Sequence, residues 1–83
     1  QPALNDGEKE KGFDRLINLV GDPDQEVGKT ATTSLDAAAS YLVGFDRNIL
    51  KAKVEFVQNL ELTDDARDRV NKAYNIVTRK GPQ

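Results

Sequence analysis

Apolar positions recur with helical spacing in four stretches of this chain, and each stretch is bounded by a start or stop signal. In the first, Phe13, Leu16, Ile17 and Val20 fall at i, i+3, i+4 and i+7, the spacing that gathers side chains on one helical face. It predicts a helix over residues 8–20, stopped by Gly21 in the left-handed conformation that glycine adopts without a Cβ penalty. Asp22-Pro23-Asp24-Gln25 reads as the next start, with Asp22 as N-cap, Pro23 at the first helical position and Gln25 reaching back. Val27, Ala31, Ser34, Leu35, Ala38 and Leu42 then keep phase. Between Thr30 and Phe45 the only charge is Asp36, so this second helix is expected to be buried on more than one side or to allow a close helix approach.

Gly44-Phe45-Asp46 supports two readings. Gly44 after one helix and Asp46 capping the next gives a break, with a third helix over 46–60 burying Ile49, Leu50, Val54, Val57 and Leu60. Leu35, Ala38, Leu42, Phe45, Ile49, Ala52 and Phe56 nevertheless form one stripe, which allows a continuous helix over residues 24–60. Thr63 caps the last helix, with Asp64 and Asp65 at its positive end. Its buried face is Ala66, Val70, Ala73, Tyr74 and Val77, and Gly81-Pro82 ends it. The expected fold is all-α, a small antiparallel four-helix bundle, or three helices if the middle is continuous. Residues 1–7 read as a flexible arm and 8–80 as one helical domain.

Composition narrows the chemistry. The chain has 83 residues, no His, Cys, Met or Trp, and a net charge of −2. Disulfides, thiolate chemistry and cysteine zinc sites are therefore excluded. Charge is uneven: seven acidic residues against three basic ones give −4 over residues 1–26, while 46–83 sum to +2. No apolar run approaches the ~18–20 residues that span a bilayer, so no transmembrane segment is expected. The chain opens on Gln-Pro-Ala, which leans towards a processed, exported or organelle-lumen protein.

Each motif that suggests a ligand fails on its own chemistry. Gly28-Lys29-Thr30 resembles the end of a phosphate-binding loop, but position 23 is proline where that loop needs glycine, and Asp22, Asp24 and Glu26 precede it. Those three acids alternate like the start of a calcium loop, yet its sixth and twelfth positions are Val27 and Thr33. Helix-start chemistry explains Asp64, Asp65 and Asp68 equally well, so neither metal nor cofactor is expected. Without histidine, proton transfer falls to a carboxylate or lysine with a shifted pKa, and Ser34 and Ser40 have no base to activate them. Catalysis is not expected. Arg67, Arg69, Lys72, Arg79 and Lys80 spread around the last helix among Asp64, Asp65 and Asp68, with no aromatic residues aligned to stack on bases. Nucleic-acid binding is not expected either, and Asp65–Arg69 and Asp68–Lys72 read as i,i+4 pairs on a solvated face.

Ala39-Ser40-Tyr41-Leu42, with Ile49 and Ala52-Lys53, resembles part of a helix in PsbQ-type extrinsic proteins of photosystem II. That resemblance implies a lumenal four-helix bundle docking on a membrane complex, and it requires a helix running through Gly44. The chain has Phe45-Asp46 where that family has Asp-Leu.

Leu19, Phe56 and Ile76 lie out of phase with the core stripes and are candidate anchors for a protein partner. The functional expectation is a non-enzymatic interaction or assembly module that docks on a larger protein complex through a helical surface. The acidic N-terminal segment would then steer a basic partner. The alternatives are a small helical carrier of a lipid or other apolar ligand, or an extrinsic lumenal subunit of a photosynthetic complex. Self-association would complete a stripe that the bundle leaves uncovered.

Overall fold

The structure is a computed structural model and describes residues 6–42 and 44–79. Four helices of equal length follow one another: α1 (Asp6–Val20), α2 (Gln25–Ala39), α3 (Gly44–Gln58) and α4 (Asp64–Thr78). The middle of the chain is broken. After Ala39 the amides of Tyr41 and Leu42 turn back onto the carbonyls of Ala38 and Ala39, at 2.9 and 3.3 Å. The continuous helix over 24–60 is therefore absent, and with it the continuity that the resemblance to PsbQ-type proteins requires. Gly44 opens α3 instead of closing α2, and Asp46 sits in the first turn of α3. α1 likewise begins at Asp6, two residues before the expected start. The rest of the expected arm, together with Val43, Lys80 and the Gly81-Pro82 stop, lies outside the described residues.

Two expectations about helix ends need correction. The N-cap of α2 is Asp24, whose carboxylate accepts from the amides of Glu26 and Val27 at 2.9 and 3.3 Å. Asp22 instead accepts from the Asp24 amide at 2.7 Å, an Asx turn that leads into the cap. The two aspartates offer the same acceptor, and only the path of the chain decides between them. Gly21 is the second correction, because no described glycine has a positive φ. A Cβ there would lie 3.3 Å from Val57 and 3.4 Å from Val70, so close packing accounts for the glycine. Thr63 caps α4 as expected, accepting from the Ala66 amide at 3.1 Å.

Polar pairs between helices fix the topology. Lys9 meets Asp46 while Lys53 meets Glu10 and Asp14, so α1 and α3 run side by side and parallel. Gln25 meets Asp65 and Asp36 meets Arg79, which makes α2 and α4 a second parallel pair. Successive helices alternate in direction. α2 and α3 barely touch, while each packs well against α4 and α1. The molecule is thus two antiparallel hairpins, α1–α2 and α3–α4, laid side by side with a diagonal connection.

The core is aliphatic. Ile17 and Val20 from α1, Ala31, Leu35 and Ala39 from α2, Leu50, Val54 and Val57 from α3, and Val70, Ala73, Ile76 and Val77 from α4 make one cluster. On α2 the buried face is turned from the expected one. Val27 and Ser34 are exposed, and Gly28, Ala31, Thr32, Leu35 and Ala39 are inward. Thr32 tolerates burial because its hydroxyl donates to the Gly28 carbonyl at 2.8 Å. α3 ends before Leu60, which is exposed, and Ile49 is half-buried, so Leu50, Val54 and Val57 alone carry the fully buried face of α3.

Candidate functional site

The bundle separates the three apolar residues singled out from periodicity. Ile76 is 4% exposed and belongs to the core, so it offers nothing to a partner. Leu19 is 37% exposed and lines a shallow depression between α1 and α2 with Glu26, Val27 and Thr30. Phe56 is 69% exposed on α3 and forms part of a groove between α1 and α3. The rotation of α4 explains the fate of Ile76: its buried face is wide enough to take Ala73, Ile76 and Val77 together.

Sequence reading missed the full extent of the apolar surface around Phe56. Phe45, Ile49, Ala52 and Phe56 lie at i, i+4, i+7 and i+11, hence along one line of α3, and Leu60 follows in the turn beyond its end. Phe45 is 68% exposed, Ala52 and Leu60 are exposed, and Ile49 is half-buried. α3 is therefore apolar on two faces, and the bundle covers only one. The chain has five aromatic residues. Phe45, Phe56 and Tyr41 lie largely in solvent, while Phe13 and Tyr74 are half-buried beside the core. The signal was legible as the stripe running through Gly44. That stripe is compatible with either a continuous helix or a break at Gly44, because periodicity cannot say which of two apolar lines faces inward.

The groove beside this stripe holds about 560 Å³ and has an apolar floor of Ile17, Ile49, Ala52 and Val57. Lys53 donates to Asp14 at 2.6 Å and to Glu10 at 3.5 Å across it. The hydrogen bond that Lys53 donates to Asp14 pushes the Lys53 pKa above the ordinary value of 10.5, against desolvation and aided by the charges of Asp14 and Glu10. Lys53 is only 15% exposed, whereas both carboxylates remain more than half exposed, so the groove's accessible rim is acidic.

The basic residues are largely spent on structure. Arg69, expected on a solvated face, is buried; it donates to the carbonyls of Val20 (3.0 Å) and Asp22, and pairs with Asp65. Arg47 donates to Ala39, Ile76 (3.4 Å) and Arg79 (3.2 Å), closing the ends of α2 and α4 together. Arg67 donates to the carbonyls of Gln58, the last residue of α3, and of Leu60 just beyond it, at 3.4 and 3.5 Å. Arg79 pairs with Asp36 at 2.6 Å. Among the described residues, no group of three or more acidic side chains converges to hold a metal ion, and no helix is long and apolar enough to cross a membrane.

No protein-family model, curated protein or solved structure matches this chain.

Proposed function

We propose that this chain is a non-enzymatic protein-binding module that docks through the exposed face of α3. One observation carries the reading: Phe45 and Phe56, two of the three phenylalanines, stand in solvent on one line of a helix while the core is built from aliphatic residues. A large apolar side chain left in water forgoes about 1.5–3 kcal/mol of burial, and two on one line form a surface that a partner can cover. Aromatic anchors of this kind dominate the energetics of protein interfaces.

Catalysis draws no support from the groove. Its lysine is held in the charged form, opposite to what a lysine base needs near neutral pH. The carrier alternative is weaker than docking because the groove's largest apolar residue points outward and Lys53 crosses its floor. Affinity capture from soluble and membrane extracts, with a Phe56→Ser control of unchanged helicity, tests the reading. A specific protein lost in the control is the expected result. Equal capture by both forms, together with unchanged self-association, removes the α3 face from the account.

A further inference from the structure

We propose that this bundle exchanges hairpins with a second copy of the chain: the turn between α2 and α3 straightens and the two merge into one long helix. This step is independent of the exposed face of α3. Exchange loses almost no contact between helices. Each hairpin, α1 with α2 and α3 with α4, stays together. The contacts between hairpins, α2 with α4 and α1 with α3 and α4, re-form between copies. Only the turn itself changes, because α2 and α3 barely touch. A closed two-fold pair results, each bundle built from the first hairpin of one copy and the second hairpin of the other.

Charge fits each hairpin to the other kind and not to its own. Eight acidic residues against four basic ones give −4 over residues 1–42, while six against eight give +2 over 43–83. Lys53, Arg69 and Arg79 reach from the second hairpin to the first, meeting Asp14, the carbonyls of Val20 and Asp22, and Asp36. All of these partners are available again in an exchanged pair.

The turn suits either path. From Ala37 to Asp46 there is no proline, and Gly44 is the single glycine among residues that a helix accepts. At about 100° per residue, a helix carried through the turn sets the buried residues of α2 and those of α3 within roughly 50° of each other around its axis. Both halves then present their apolar faces on one side, as packing into two bundles in line requires. In the bent form the amides of Tyr41 and Leu42 bond three residues back, and Arg47 donates to the carbonyl of Ala39. In a continuous helix that carbonyl accepts from the amide four residues on. Arg47 is thus a latch on the bent form, which the merged helix must release.

Gly44 allows a test in both directions at one position, since a Cβ there meets nothing within 4 Å. Gly44→Ala favours the continuous helix, whereas Gly44→Pro suits the first residue of α3 and breaks a helix running through it. The native chain and both variants are refolded from urea at high and at low concentration, checked for retained helicity and separated by size. The expected product at high concentration is a dimer of twice the 9.2 kDa chain mass that persists on dilution. Gly44→Ala enriches it by about threefold or more, and Gly44→Pro lacks it. Phe56→Ser leaves its share unchanged, which separates exchange from any pairing through the α3 face. A dimer that survives in Gly44→Pro overturns the inference, as does Gly44→Ala remaining monomeric at every concentration. Capture of a partner through Phe56 is untouched by either result, so the docking reading stands or falls separately.

Discussion

At the residue scale, Gly28 and Arg69 define one contact that neither the helix pattern nor the charge pattern contains. A Cβ at Gly28 would overlap the Arg69 guanidinium, which lies against the α2 backbone while it binds the carbonyls of Val20 and Asp22. The glycine in Gly28-Lys29-Thr30 is thus a space for an arginine and not part of a phosphate loop. Gly28→Ala is expected to lower stability by about 2 kcal/mol, because Arg69 must leave acceptors that no water reaches freely. Gly12 is the internal control. It lies exposed within α1 with nothing within 4 Å of its Cβ position, so Gly12→Ala is expected to raise stability by about 0.5–1 kcal/mol. Urea denaturation of the two variants separates the effects, and equal signs would refute the account of Gly28.

At the scale of the element, the two kinds of helix end obey different rules. The N-termini of α2 and α4 are capped locally, by Asp24 and Thr63, within three residues of the amides they satisfy. Asp24→Ala is therefore expected to cost about 1 kcal/mol and Asp22→Ala clearly less, measured by thermal or urea unfolding. A larger loss at Asp22 would restore it as the cap. C-termini are closed from a distance: Arg69 serves α1, Arg47 serves α2 and α4, and Arg67 serves α3. None of the four helices has a basic residue in its own last turn. Cations beside the negative helix ends gain from the helix dipole as well as from the hydrogen bonds.

At the scale of the molecule, Lys53 is the closer of two polar links between the hairpins on the α1–α3 side, the other being Lys9 with Asp46 at 3.8 Å. Its pKa is higher in the folded chain than in the unfolded one. The stabilisation it provides is therefore complete below the ordinary lysine value of 10.5 and is lost as pH rises above it through the folded value. Unfolding curves of the native chain and Lys53→Gln should run parallel from neutral pH to about pH 10 and converge at higher pH. A constant difference across that range would show that Lys53 acts through packing alone. The same side of the molecule carries the uncovered stripe, so the α1–α3 pairing also sets the floor of the groove beside it.

The sequence by itself determined the all-α class, the Thr63 cap that starts α4 and the inward face of α1. These follow from interactions within one or two turns, where spacing and residue type are sufficient. It also exposed the stripe through Phe45, Ile49, Ala52 and Phe56, without saying whether that line was core or surface. Only the tertiary structure decided this, because α3 carries two apolar faces and the diagonal path of the chain brings α1 and α4 over just one of them. The burial of Ile76, the shift of the α2 cap to Asp24 and the arginines that close the helix ends were settled in the same way. The Asp24 cap turns on the local path of the chain, whereas the inter-helix contacts of Arg47 with α4 and of Arg69 with the α1 end join residues between 29 and 49 positions apart, and no local pattern records a contact at that range.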